Sequence, residues 1–236
     1  MNPSTVALVT GANKGIGFEI ARQLGEQNIE VLLGARDPER GNAAALTLRN
    51  EGLNVDFFHL DLEDPATIHS AAERIQSAYG RLDILVNNAG ILNDRGLMPS
   101  ELTEAALRQN FEINFFGPWL LTSALLPLLK ASEHPRIVNQ SSILGSLTSI
   151  GKMDGWITPG YTAAKTALNA MTVLFAKELK HGKVNSAHPG YVETDMTGPD
   201  APLTPAQGAA TAVWLATLEA DGPTGGFFNE KKPLAW

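Results

Sequence analysis

Tyr161 and Lys165 stand four residues apart in the segment YTAAK, at what reads as the start of a helix. Side chains at this spacing lie on one helix face, so the phenol and the ammonium can reach the same small volume. A free tyrosine has a pKa of about 10, and a neighbouring cation lowers it toward the range useful in catalysis. The pair therefore suggests acid-base chemistry, although Y-x-x-x-K also occurs by chance and the rest of the chain must decide.

A glycine-rich stretch, GANKGIG, follows Thr10 at the end of the first apolar run. Glycines let the backbone turn tightly against a pyrophosphate, and the N-terminus of the next helix offers free N–H groups. The spacing of Gly11, Gly15 and Gly17 departs from the common G-x-G-x-x-G pattern, and it is not a Walker loop because no G-K-[ST] follows. Its place between the first strand and a helix favours a dinucleotide loop over a simple turn.

Two basic residues indicate which dinucleotide binds. At the end of the second strand an acid receives the ribose 2'-hydroxyl of NAD, whereas an arginine can receive the 2'-phosphate of NADP. Arg36 stands here, and with Lys14 from the glycine loop it would form a cationic pocket suited to phosphate. Asp37 could bind a 2'-hydroxyl instead, but we favour its role as the N-cap of a helix opening at Pro38. The sequence thus favours NADP(H).

Apolar runs that predict strands alternate with helical patterns along the whole chain. The predicted strands are Thr5–Thr10, Glu30–Ala35, Asn54–Leu60, Leu82–Asn88, Arg136–Ser141, Lys183–His188 and Gly225–Phe228. Repeated strand-helix units indicate an α/β fold, a single Rossmann domain over residues 1–236 whose doubly wound parallel sheet has about seven strands and helices on both faces. Such sheets bind ligands outside the carboxyl ends of their strands.

Composition excludes several classes of function. The 236 residues carry a net charge of −7, which offers no basic footprint for nucleic acid. Cysteine is absent, so disulfides and thiol chemistry are excluded, and the histidines show no metal-ligand spacing. No signal peptide is apparent, which favours the cytoplasm. The apolar segment PWLLTSALLPLLK is interrupted by polar residues and shorter than the roughly 20 needed to span a bilayer, so we expect a buried helix and no membrane.

Taken together, the motifs resemble the short-chain dehydrogenase/reductase family in the right order and over essentially the whole chain. They are the glycine loop after Thr10, Asp61-Leu62, Asn87-Asn88-Ala89-Gly90, Ser141-Ser142, Tyr161-x-x-x-Lys165 and Pro189-Gly190. Within the family, the segments GARDPERG, HPGYVETDM and GGFFNEKKPLAW look most like NADPH-dependent carbonyl reductases.

The resemblance implies four catalytic residues. Ser142 would bind the substrate carbonyl, Tyr161 would donate the proton, and Asn114 would hold a water that links Lys165 to solvent. The implied cofactor contacts are Gly11, Asn13, Lys14, Gly15, Ile16, Gly17, Arg36, Asp61, Leu62, Asn87, Ala89, Gly90, Tyr161, Lys165, Pro189, Gly190, Val192 and Thr194. Among these, Asp61 would contact the adenine, Asn87 the adenosine side, and Thr194 the nicotinamide carboxamide.

The expected function is NADPH-dependent reduction of an aldehyde, ketone or quinone. The alternatives are an NAD(H)-linked secondary-alcohol dehydrogenase and a non-catalytic NADP(H)-binding regulator. Substrate loops are expected at about 143–160 and 191–205, where Met153, Trp156, Tyr191 and Met196 could form an apolar wall or simply pack the loops. His188 is expected to be a supporting or core residue. The family also implies a homodimer or homotetramer.

Overall fold

Eight strands form one sheet in the part of the chain that the structure, a computed structural model, describes, namely residues 5–155 and 157–236. They are β1 Val6–Thr10, β2 Glu30–Ala35, β3 Val55–His59, β4 Ile84–Asn87, β5 Arg136–Gln140, β6 Lys183–Ala187, β7 Phe227–Asn229 and β8 Lys232–Pro233. Their order is β3-β2-β1-β4-β5-β6-β7-β8. All neighbours pair in parallel except β7 and β8.

The predicted parallel sheet is confirmed, with one short strand more than expected. β8 has only two residues, one of them Pro233, so it leaves no apolar run for sequence reasoning to detect. It pairs antiparallel with β7, where Phe228 lies opposite Pro233 and Asn229 opposite Lys232. The chain thus closes this edge of the sheet with a hairpin.

Helices cover both faces of the sheet. They are α1 Gly15–Gly25, α2 Pro38–Asn50, α3 Pro65–Tyr79, α4 Glu104–Phe111, α5 Gly117–Lys130, α6 Leu147–Ile150, α7 Pro159–Glu178 and α8 Pro205–Ala216. One core packs α1, α2 and α8 against Ala7 and Val9 of β1, and the other packs α3, α5 and α7 against Val6 and Leu8. Because alternate residues of a strand point to opposite faces, burial of both faces explains why the strands read as continuous apolar runs.

Three helices begin as their sequences predict, with a polar cap followed by proline. The Asp37 carboxylate accepts hydrogen bonds from the backbone N–H groups of Glu39 and Arg40 at 3.0 and 3.1 Å. Asp64 caps α3 and Thr204 caps α8 in the same manner. The interpretation of Asp37 as a helix cap is therefore confirmed.

The apolar segment around Pro118 belongs to a longer helical stretch than the sequence indicated. A π-helical turn, Glu112–Phe116, joins α4 to α5, so that Glu104–Lys130 runs for 27 residues and is long and apolar enough to cross a membrane by those criteria alone. Of its most apolar window, 56% is buried inside the protein. Leu121, Leu125 and Leu129 are fully buried in the core with α3 and α7. This is how a core helix packs, as we expected.

Candidate active site

A groove of about 950 Å³ runs across the carboxyl ends of β1 to β4. It lies at the switch point of the sheet, because β1 continues on one side to β2 and on the other to β4. Twelve of the predicted cofactor residues line it, namely Gly11, Asn13, Lys14, Gly15, Ile16, Gly17, Arg36, Asp61, Leu62, Ala89, Gly90 and Thr194. Residues from five separate segments of the sequence therefore share one groove.

At Gly11 and Gly17 the glycine loop leaves no room for a side chain, so bare backbone faces the groove there. Gly11 has φ +63°, and a Cβ there would lie 2.8 Å from the Cα of Ala89. A Cβ on Gly17 would lie 2.3 Å from the Nδ2 atom of Asn88. The loop opens directly into α1, whose first turn provides free N–H groups. These features fit the pyrophosphate of a dinucleotide.

Both predicted phosphate-binding cations lie in the groove, and both are paired with acids. Lys14 forms a close ion pair with Asp195, and the Nη1 atom of Arg36 lies 3.3 Å from the Oε2 atom of Glu63. Asp195 belongs to the loop that follows β6, so the pair with Lys14 spans the groove. A phosphate that binds these cations must compete with two carboxylates.

Asn87 does not line the groove, unlike its predicted neighbours Ala89 and Gly90. Its side chain is buried on the α5 side of the sheet, where Nδ2 donates to Thr122 Oγ1 at 3.0 Å and to Asn139 Oδ1 at 2.8 Å. Its expected place on the adenosine side of the cofactor therefore stays a prediction, and these contacts leave only the backbone of Asn87 for that role. Asn88 lines the groove instead, and its Nδ2 atom donates to the carbonyl of Thr10 at 2.9 Å, which ties β4 to the glycine loop.

A smaller cavity of about 390 Å³ adjoins the groove and is lined by the predicted catalytic side chains Ser142, Tyr161 and Lys165. Pro189, Gly190 and Val192 also line it, as do Met153, Tyr191 and Met196 from the two expected substrate loops. Trp156 lies outside the residues described. Ile16, Gly90 and Thr194 border both spaces, so the groove and the cavity are continuous.

Tyr161 is a buried phenol whose proton is held firmly. Burial raises the pKa of Tyr161 to about 12, a hydrogen bond with Ser142 lowers it in part, and the negative charge of Asp94 raises it further. The expected lowering of this pKa by Lys165 and the nicotinamide cation stays a prediction, since Lys165 is not among the groups that shift the pKa here. Desolvation outweighs the nearby amine because the phenolate would have to form in an apolar enclosure.

Lys165 is buried beside Tyr161 but binds the backbone rather than the phenol. Its Nζ atom donates to the carbonyl of Gln140 at 2.8 Å and lies 5.6 Å from the centre of the Tyr161 ring. Burial lowers the pKa of Lys165 to about 7. At neutral pH this amine can therefore gain or lose a proton.

The two serines after β5 are distinguished by their contacts. Ser142 Oγ accepts from Leu144 N–H at 3.2 Å and also bonds Tyr161, whereas Ser141 Oγ is buried without a hydrogen-bond partner among the described residues. Ser142 is thus the serine that the structure brings to the tyrosine.

Asn114 sits in the π-helical turn and does not line the cavity. Its side chain clamps residue 91: Oδ1 accepts from Ile91 N–H at 3.1 Å, and Nδ2 donates to Ile91 C=O at 3.0 Å. A Cβ on Gly90 would lie 2.8 Å from Asn114 Oδ1 and 3.4 Å from Lys165 Nζ, so the two residues meet across this glycine. Pro118 has no N–H, so it cannot give the Asn114 carbonyl its α-helical donor.

Sequence reasoning missed two residues of the 94–95 segment. The Asp94 carboxylate is fully buried against the first turn of α7, and Arg95 Nη2 donates to the Met196 carbonyl at 2.8 Å. No local motif marks either residue, because their partners lie 66 or more positions away. His188 borders the cavity as a supporting residue; burial lowers its pKa to about 4, and its Nδ1 atom accepts from Ile143 N–H at 3.3 Å.

Comparison with known proteins agrees with this geometry. The family model of short chain dehydrogenases matches residues 5–202. The chain belongs to the short-chain dehydrogenase family. The resemblance that the motifs suggested, from the glycine loop to Tyr161 and Lys165, is therefore confirmed.

Within this family the chain lies in the carbonyl-reductase-like branch. It is 35% identical to (+)-neomenthol dehydrogenase of Arabidopsis thaliana over 96% of both chains. It is also 35% identical to carbonyl reductase (NADPH) 1 of Mus musculus over 98% of both chains. The structure of an NADPH-bound carbonyl reductase from chicken fatty liver matches with a TM-score of 0.86 at 28% identity, over 99% of each chain.

Proposed function

We propose that this short-chain dehydrogenase reduces the carbonyl group of an apolar aldehyde, ketone or quinone with NADPH as the electron donor. One observation carries the proposal: Ser142, Tyr161 and Lys165 converge in a cavity that opens onto a groove with a glycine loop and two cations. The NADPH-dependent and NADPH-bound carbonyl reductases among its relatives support the same reaction class.

Residues of the groove fit NADP(H) by their chemistry. Gly11, Gly15 and Gly17 would admit the pyrophosphate, and Lys14 and Arg36 would hold the 2'-phosphate. At the other end, Thr194 borders both spaces and would hold the nicotinamide carboxamide. When bound, NADPH supplies a hydride to the carbonyl carbon of the substrate.

Ser142 and Tyr161 act on the carbonyl oxygen. The Ser142 hydroxyl orients that oxygen by a hydrogen bond, and the Tyr161 hydroxyl donates a proton to it as negative charge develops. A tyrosine that burial keeps protonated is in the correct state for this role. Donating this proton turns Tyr161 into a phenolate in a buried site, which is unfavourable. Rapid transfer of another proton from Lys165 to Tyr161 would lower the free-energy cost of the donation.

Lys165 would return the proton because its pKa of about 7 lets it exchange protons at neutral pH. Asn114 would complete the path by holding a water that connects Lys165 to solvent. We assign this role to the Asn114 backbone carbonyl, since the Asn114 side chain is engaged by Ile91.

The lining of the cavity supports an apolar substrate. Ile143, Leu144, Met153, Val192 and Met196 contribute aliphatic and thioether surface, and Tyr191 adds an aromatic ring. Such walls bind hydrocarbon surface but select weakly between similar skeletons. We therefore propose a substrate class rather than one compound.

The test follows NADPH and NADH oxidation against a panel of aldehydes, ketones and quinones, with Tyr161→Phe beside the wild type. We expect turnover with NADPH that falls by a factor of about 100 or more in Tyr161→Phe, because one positioned acid contributes that much. Tyr79→Phe is the matched control, since Tyr79 bonds Glu30 away from the cavity. NADPH binding without reduction of any compound would favour the regulator alternative, and preference for NADH with alcohols would favour the NAD-linked one.

We further propose that the protein forms a homodimer or homotetramer through α5 and α7. Phe116, Leu120 and Leu174 are 45%, 45% and 51% exposed on or beside these helices, and large exposed apolar side chains favour association. Light scattering after size exclusion will measure the mass. A monomer at micromolar concentration would contradict the proposal.

A further inference from the structure

The helix that carries Tyr161 is not capped by its own sequence. Thr158 occupies the N-cap position of α7 but makes no side-chain cap; its Oγ1 atom instead lies 3.1 Å from Thr162 Oγ1. Pro159 has no N–H, so the first free backbone donors of the helix are those of Gly160 and Tyr161. A helix start buried in this way needs an acceptor from elsewhere.

Asp94 provides that acceptor from the loop after β4. Its Oδ2 atom accepts from Gly160 N–H at 2.5 Å and from Tyr161 N–H at 3.1 Å. The side chain is fully buried, and its Oδ1 atom has no hydrogen-bond partner within the described ranges. Negative charge is favoured at a helix N-terminus, so this carboxylate serves as an N-cap contributed from 66 residues earlier.

The Asp94 carboxylate can approach the start of α7 this closely because residue 160 is a glycine. A Cβ on Gly160 would lie 3.1 Å from Asp94 Oδ2 and 3.0 Å from Asn110 Nδ2, so glycine lets the carboxylate reach the helix. Asn110 in turn donates to Asn93 Oδ1, and Asn114 clamps Ile91. The loop that carries Asp94 is therefore fixed by two residues of the α4 and π-helical stretch.

We propose that Asp94 is a positioning residue for Tyr161: its carboxylate fixes the first turn of α7 and places a negative charge beside the residue that carries the phenol. Only the catalytic value of this charge rests on the proposed function, because carbonyl reduction requires a protonated tyrosine. Asp94 does not line the cavity, so it acts through Tyr161 and touches no reacting atom.

Several other titratable or charged groups share the cavity with Tyr161. Lys165 lies on the same helix, His188 follows β6, and Arg95 and Tyr191 come from the flanking loops; all of them line the same cavity. Burial is the largest influence on the pKa of Tyr161, the Ser142 hydrogen bond opposes it, and the charge of Asp94 adds to it. Removing that charge should therefore make the phenol more acidic.

Asp94→Asn separates charge from geometry, since the amide oxygen can still accept the two N–H bonds. Fluorotyrosine incorporated into the chain gives ¹⁹F resonances for its three tyrosines, and loss of one resonance in Tyr161→Phe assigns Tyr161. Fluorination also makes the phenol more acidic, which brings its titration into a milder pH range. We expect Asp94→Asn to lower the titration midpoint of Tyr161 by on the order of half a pH unit.

Asp154→Asn is the matched control, because it removes an exposed carboxylate from the loop that precedes α7 and should leave the midpoint unchanged. Asp94→Ser, a smaller neutral acceptor, replaces the Asn variant if that variant does not fold. An unchanged midpoint in a folded Asp94 variant would overturn the proposal.

The titration needs no turnover, so the two proposals fail separately. A shifted midpoint in a protein that reduces no carbonyl keeps Asp94 as a positioning residue and removes the proposed function. In an active enzyme, the alkaline fall of the reduction rate should also move to lower pH in Asp94→Asn, by the same amount. If Asp94 were only a structural cap, its replacement would lower the rate at every pH and leave the pH of the alkaline fall unchanged.

Discussion

The cofactor groove and the catalytic cavity share a border but handle charge in opposite ways. In the groove, Lys14 and Asp195 have side chains 58% and 79% exposed, and the hydrogen bond with Lys14 lowers the pKa of Asp195. In the cavity, Tyr161 and Lys165 are buried, and desolvation dominates their pKa values. Water and salt therefore screen the charges in the groove, whereas burial controls the protonation of the groups in the cavity.

This difference shows what each region can tolerate. An exposed ion pair contributes little because water and salt screen it, so partners in the groove can change when a phosphate binds. A buried titratable group has no such freedom, since losing its partner leaves an unpaired polar group in an apolar site. Substitutions in the cavity should therefore have larger effects than equivalent ones in the groove.

The largest effect should come from Lys165→Met, which keeps the volume of the side chain but removes the amine. Without a group that returns the proton to Tyr161, we expect the rate of carbonyl reduction to fall by a factor of about 100 or more. NADPH affinity, measured by fluorescence titration, should change far less. Equal losses of binding and rate would contradict the division between groove and cavity.

The same variant should change how stability depends on pH. The folded pKa of Lys165 is about 7 and its unfolded value is 10.5, so between these values the unfolded chain binds a proton that the folded protein lacks. Wild-type stability should therefore gain from this group as pH rises from about 7 toward 10, by on the order of a few kcal/mol. Denaturant unfolding at several pH values will show whether Lys165→Met loses that gain.

A smaller effect is expected from Arg36→Asp in the groove. The change replaces a phosphate-binding guanidinium with a carboxylate that can accept the ribose 2'-hydroxyl. We expect NADPH affinity to fall about ten-fold or more relative to NADH, with the reduction rate at saturating cofactor nearly retained. Arg108→Asp, on an exposed ion pair in α4, is the control for charge alone. An unaltered ratio of the two affinities would remove Arg36 from the phosphate site.

The smallest effect should come from Asp195→Asn. Releasing Lys14 from its acid removes one competitor of the 2'-phosphate, so NADPH should bind a few-fold tighter at low salt, in keeping with the small value of exposed ion pairs. High salt should erase the difference because it screens the pair in the wild type. Tighter binding that persists in high salt would indicate a change in loop structure rather than a freed cation.

Patterns within short stretches of sequence were sufficient for much of the fold and for the core of the site. The parallel sheet follows from buried apolar runs, and the caps at Asp37, Asp64 and Thr204 follow from a polar residue before proline. The predicted fold lacked β8, because that strand is too short to leave a pattern in the sequence. Tyr161 and Lys165 line the same cavity because they are four residues apart on one helix.

Only the tertiary structure decided which way side chains point and what burial does to them. Asn87 turns into the interior because partners on β5 and α5 receive it, and Tyr161 holds its proton because the surrounding walls exclude water. Asp94 reaches α7 across 66 residues of chain. The sequence by itself determined which elements form and which chemical groups stand at their ends, since those depend on neighbours along the chain. Desolvation and long-range pairing depend on neighbours in space, so the acid-base character of the site arose only on folding.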